Sequence, residues 1–225
     1  MKKSNFKKAF ALSALMAFVI TGSAYAQKVE VDEGKTKDDA SVIEVGQNEI
    51  FKNAGTVIAD ESITVNGGTF NNTGEITTGT LEIYSKPDDK ADIAGSINAS
   101  QGFIYRGINS NLYDRKLYAK LDTPVLHIIG TTNQTGLQIM NKDVLTNVDK
   151  IIVESQGEKT GLVITNNEQI DITAPIYLKY NSDANKDARV EVYSGATLTA
   201  DKIIAESGRT KVQLNGKKFC YIKII

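Results

Sequence analysis

From Leu126 onward, apolar residues come in pairs with one position between them, and the pairs recur. Leu126 and Ile128, Ile151 and Val153, Ile176 and Leu178, and Ile203 and Ala205 form one series, whose first members are 25, 25 and 27 residues apart. The near-identical stretches DKIIVES (149–155) and DKIIAES (201–207) are two members of it. A second series pairs Leu137 with Ile139, Leu162 with Ile164, Val190 with Val192 and Val212 with Leu214, and a third runs Leu145, Ile170, Leu198. Apolar residues at i and i+2 put both side chains on one face of a strand. No stripe at helical spacing interrupts them. Three short strands recurring at a fixed interval predict a solenoid, because a single repeat cannot bury its own apolar face. The second and third series both lengthen by three residues late in the chain, which places an insertion between Leu178 and Val190, in the polar run YNSDANKDA.

The first half repeats with tighter turns. KNAGTVIADESITV (52–65), NNTGEITTGTLEIY (71–84) and DIAGSINASQGFIY (92–105) align on Gly55, Gly74 and Gly95. Two residues after each glycine comes Val57, Ile76 or Ile97, and then a pair: Ile63 and Val65, Leu81 and Ile83, Phe103 and Tyr105. The five- or six-residue step between these strands matches that from Leu145 to Ile151 and from Leu198 to Ile203, so all are read as one corner of the coil. Counting one strand per coil gives 63, 81, 103, 126, 151, 176 and 203. The expected fold is all-β: a parallel β-helix of about seven coils, each of 18–28 residues with three short strands. Coils stacked at roughly 4.8 Å would make a rod about 35 Å long.

The first 26 residues stand apart. Lys2, Lys3, Lys7 and Lys8 precede an apolar run over residues 9–20, and Ala24 and Ala26 form a small-x-small cleavage site, the three parts of a secretory signal. The run is shorter than the roughly 20 residues a membrane-spanning helix needs. The expected organisation is therefore 1–26 signal peptide, 27–50 N-terminal lead-in or cap, 51–216 β-helix and 217–225 short tail. Export through the inner membrane follows, to the periplasm, the medium or the cell surface. Without the signal the chain carries 22 basic and 27 acidic residues, a balance that argues against nucleic acid as a partner. Cys220 is the only cysteine, so no internal disulfide can form.

FKNAGTVIA, FNNTGEITTGTLEI and GSINASQGFI resemble the F-x-N-x-G-x-I-x-A coils of autotransporter passengers and filamentous-haemagglutinin-type secreted proteins. The resemblance covers about residues 50–215. It implies a right-handed parallel β-helix displayed outside a Gram-negative-type cell and a non-enzymatic role in adhesion, toward a host or neighbouring-cell protein or glycan. No translocator barrel follows Gly216, so the expectation is a fragment of such an adhesin. A carbohydrate-active, pectin-lyase-like β-helix enzyme and a purely structural spacer are the alternatives.

Candidate chemistry is sparse. The acidic doublets Asp38-Asp39 and Asp88-Asp89 fall in Lys-containing, turn-like segments and are expected to be solvated. His127, the sole histidine, lies between inward Leu126 and Ile128 and is expected on the outer face, exposed; no catalytic, cofactor or metal site is assigned. Gly67-Gly68 and Asn71-Asn72 lack the following helix that a phosphate site requires and read as turn glycine and stacked asparagine. Asn141 and Asn166, 25 apart, are candidates for another such stack. The candidate contact surface is the basic, tyrosine-rich segment 105–120, with Tyr105, Arg106, Tyr113, Arg115, Lys116, Tyr118 and Lys120. The apolar tail KKFCYIKII is expected to promote self-association at the C-terminal edge.

Overall fold

The computed structural model describes residues 28–39, 41–84, 92–107, 115–131, 135–145, 147–157, 159–165, 169–180, 187–193, 195–206, 210–215 and 222–224. The segment 1–26 expected to be a signal, Tyr113, Asp88, Asp89, Asn166 and Cys220 lie outside them. The described chain is built from parallel strands without a helix, wound into a solenoid with three walls.

The first wall stacks Lys28–Val31, Ile50–Asn53 and Thr69–Asn72, then the single bridging residue Ile93, then Arg115–Leu117, Thr135–Ile139, Thr160–Ile164, Ala188–Tyr193 and Thr210–Asn215. The second and third walls share strands that bend at a corner. Thr56–Asn66, Glu75–Tyr84, Ser96–Gly107 and Lys120–Gly130 each run along one wall, turn and continue along the next. Pairing slips at these corners, between Ala59 and Ser62, Thr78 and Thr80, and Asp122 and Leu126, because the coils differ there in length.

The register matches the sequence periodicity. On the third wall Ile63, Leu81, Phe103, Leu126, Ile151, Ile176 and Ile203 are successive partners, as are Val65, Ile83, Tyr105, Ile128, Val153, Leu178 and Ala205. On the first wall Leu137, Leu162, Val190 and Val212 line up in the same way. Stacking like upon like places each apolar side chain on another and seals one continuous core along the rod.

The F-x-N-x-G motif has a physical account here. Phe51 and Phe70 stack in the core with ring centroids 5.1 Å apart. Asn53 and Asn72 are buried at the first corner, where Nδ2 of Asn53 donates to Oδ1 of Asn72 at 2.8 Å. Asn72 in turn donates to the carbonyls of Gly74 and Ala94, and Asn53 Oδ1 accepts from the Gly55 N–H. These amides satisfy backbone groups that the turn leaves without ladder partners. The glycines allow the turns to nest: a Cβ on Gly74 would sit 2.1 Å from the Gly55 carbonyl oxygen.

At four places the structure extends or departs from the expectations. The lead-in is itself a coil, since Lys28–Val31 pairs with Ile50–Asn53, and Thr36–Asp39 and Val42–Val45 both pair with Thr56–Asn66. Asp38 therefore sits exposed on a strand and not in a turn. Leu145 is buried but in a turn: Asn141 Oδ1 accepts the Asp143 N–H, and this local side-chain turn replaces the expected strand. In the tail, the backbone of Ile222–Ile224 pairs in parallel with Thr197–Ala205, covering part of the C-terminal edge of the second and third walls. Thr210–Asn215 is paired on one side only among the described residues.

Candidate interaction surface

Alternation along the strands divides the expected contact segment. Tyr105 has the parity of Phe103 and points inward, with 1% of its surface exposed. Arg115 has the parity of Leu117 and is fully buried on the first wall, where its NH2 donates to the Phe70 carbonyl at 3.0 Å. This wall narrows to the Asn72–Ile93–Leu117 bridges at that level, so the guanidinium supplies a donor where ladder pairing is thinnest. Neither residue can contact a partner. Lys116, Tyr118 and Lys120 are exposed, but they lie along the first wall and the start of the second. Arg106 is on the third wall, so the seven residues do not form one surface.

Arg106 instead joins residues that sequence reading passed over. Asn66, Tyr84 and Arg106 are successive register partners on the outer face of the third wall, and Thr64 and Glu82 form the adjoining column. Together with Thr131 they line a groove of about 350 Å³. Arg106 Nε donates to Glu82 Oε1 at 2.6 Å, with both side chains 30% exposed, so the groove holds a neutralised ion pair beside a half-buried tyrosine. The signal for it was available: outward positions at i and i+2, repeated on adjacent coils, must stack into columns just as the inward ones do.

The same outer face carries one more ion pair and a histidine–carboxylate hydrogen bond. Lys179 Nζ lies 3.0 Å from Glu206, and His127 Nε2 lies 2.8 Å from Glu154. His127 is outward, as expected, but half-buried, because its register partners on either side are Ile104 and Ile152. Burial holds its pKa below the ordinary value, with Arg106 and Lys179 acting in the same direction and Glu154 opposing. For Glu154, burial alone would raise the pKa, but hydrogen bonds from Gln156 and His127 outweigh it and the net shift is downward. Both groups thus bind fewer protons folded than unfolded, so stability rises with pH. The histidine contribution is complete above about pH 6.5 and is lost as pH falls below that; the glutamate contribution is lost below about pH 4.3. Thermal melts should therefore shift downward between pH 7 and pH 5, and His127→Gln should flatten that interval; a flat wild-type profile there would contradict the assignment.

A further polar cluster lies on the outer side of the first wall. Arg189 NH1 donates to Glu191 at 2.6 Å, its Nε and NH2 reach Asp187, and Tyr193 Oη donates to Glu191 at 2.8 Å. All four residues sit at alternate positions of one run, hence on one face. Burial opposes the Arg189 charge, yet the two carboxylates raise its pKa. Arg189 thus has a carboxylate on either side of it along the strand, and its charge is spent within the cluster.

Comparison with protein-family models, curated proteins and solved structures found no match to this chain.

Proposed function

We propose that the chain is an exported, passenger-like scaffold of the autotransporter-adhesin kind, which presents a contact edge to a protein or glycan of a host or neighbouring cell and performs no catalysis. One observation carries this reading. The step from the third wall to the first varies widely from coil to coil: two residues separate Asn66 from Thr69, but eight separate Tyr84 from Ile93 and seven separate Gly107 from Arg115. The Tyr84–Arg106 groove opens on the third wall where the strands Glu75–Tyr84 and Ser96–Gly107 end. A solenoid that keeps its walls regular and varies its corners concentrates its diversity at those edges, which suits recognition. Tyrosine and arginine there offer stacking area and planar hydrogen bonding to sugar rings or peptide groups. The carboxylates of Glu82 and Glu206 are each engaged by a cation and that of Glu154 is hydrogen-bonded to His127 and Gln156, an arrangement that favours a static surface over a pair of working acids.

The test is adherence of purified, fluorescently labelled residues 27–225 to cultured epithelial cells. Binding should saturate and should fall at least tenfold in the double variant Tyr84→Ala, Arg106→Ala with an unchanged melting temperature. Equal binding by wild type and variant, or no binding by either, would remove this edge as the adhesive surface. Cleavage of pectate or another uronic-acid polymer by the same preparation would remove the non-catalytic part of the reading.

A further inference from the structure

A larger groove, of about 590 Å³, lies where the second wall turns into the third, and the adhesive edge does not include it. Its shape comes from unequal coils. Between the paired residues Asn98 and Phe103 there are four residues, but only three between their partners Asp122 and Leu126, so the coil carrying Ser100 overhangs the one carrying Pro124. The rim is polar: Asn98, Asp122 and Asn147 are successive register partners facing outward, and Ser100 and Asp149 flank them. Every ionisable group lining the groove is a carboxylate. Among the described residues, the side chains of Asn98, Ser100, Asp122, Asn147 and Asp149 engage no hydrogen bond or ion pair, in contrast to the paired acids of the third wall.

The nearest cations along the chain do not neutralise it. Lys150, next to Asp149, sits 4.6 Å over the Tyr177 ring on the third wall. Lys120, two residues before Asp122, lies outside the groove and forms no ion pair with it. Two uncompensated carboxylates in a concave surface focus negative potential. Their placement also has a spacing. Asp149 is two residues beyond Asn147, the partner of Asp122, so one strand step and a two-residue rise separate the carboxylates by roughly 8 Å. An extended peptide presents same-face side chains every two residues, about 6.7 Å apart, and the flexible stem of lysine spans the remainder. The amides of Asn98 and Asn147 offer both a donor and an acceptor to such a peptide's backbone.

We propose that this groove binds an extended basic segment of a partner protein, with two cationic side chains at alternate positions received by Asp122 and Asp149. The probes are three labelled, end-blocked peptides, Gly-Lys-Ser-Lys-Gly, Gly-Lys-Lys-Ser-Gly and Gly-Glu-Ser-Glu-Gly, and a glucosamine oligomer with free amines, measured by fluorescence anisotropy at low salt. The alternating-lysine peptide should bind at least fivefold more tightly than the adjacent-lysine peptide, and the glutamate peptide should not bind. Asp122→Asn with Asp149→Asn should weaken it at least tenfold at unchanged melting temperature, whereas Tyr84→Ala with Arg106→Ala should leave it unaltered, which separates this site from the adhesive edge. Equal affinity for both lysine peptides, an unaffected Asp122/Asp149 double variant, tighter binding of the glucosamine oligomer than of any peptide, or no binding at all would each overturn the proposal.

Discussion

Ile151→Asp should lower the unfolding free energy by about 4 kcal/mol or more, while Lys150→Asp, one position away, should cost about 1 kcal/mol or less. Ile151 is fully buried between Leu126 and Ile176, its partners on the coils to either side. An aspartate there would hold a carboxylate among hydrocarbon on both faces, without donor or water, and would either stay charged at great cost or take up a proton. Lys150 is outward, and its removal forfeits a cation–π contact with Tyr177, worth about 0.5–1 kcal/mol at a partly exposed site. Urea melts of the two variants measure the difference. The reverse ranking would mean that the strand is turned over, with every side chain on the wrong face.

Gly74→Ala should destabilise by about 3 kcal/mol, a large effect for a single methyl group. The added carbon would lie 2.1 Å from the Gly55 carbonyl oxygen, which already accepts the Glu75 N–H at 2.8 Å. Neither atom can retreat without opening the pairing between two coils. Gly102→Ala is the control, because its nearest contact would be an ordinary 3.6 Å to the Val125 carbonyl. That change should be neutral or slightly stabilising, through lower entropy of the unfolded chain. Similar melting temperatures for both variants would show that the Asn–Gly corner is looser than the nesting of its turns requires.

The walls were legible in the sequence because a stacked core imposes the same residue class on each column. Ile63, Leu81, Phe103 and Leu126 can be aligned by eye for that reason. Corners obey no such rule. Leu145 has the spacing of a strand residue, yet the Asn141 side chain diverts the backbone two residues earlier, a local competition that spacing does not register. Two members of the contact segment were chosen for chemistry and are interior: the pairing with Phe103 already assigned Tyr105 inward, whereas no repeat in the sequence marked the Arg115–Leu117 strand that does the same for Arg115. Arginine is the harder case, since a fully buried guanidinium is rare and its reason, the Phe70 carbonyl at the narrowed wall, lies 45 residues away in the chain. The outward columns that build the Tyr84–Arg106 groove followed the same period as the core, but mixed polar residues conceal it.

The narrowing at Ile93 bears on how the rod comes apart. A solenoid unfolds as a row of neighbours, each held by the interfaces on its two sides, so its weakest interface decides where cooperativity breaks. Along the first wall, continuous ladders on either side meet only through one residue, whereas the second and third walls run unbroken past the same level. Amide exchange should therefore distinguish two blocks, with the Ile93 and Tyr118 N–H groups, which bond across this seam, exchanging sooner than those of Ile83 or Ile128 at neighbouring levels of the third wall. Arg115 then acts as a rivet rather than as core filling, and the length over which this rod behaves as one cooperative body is set at that seam.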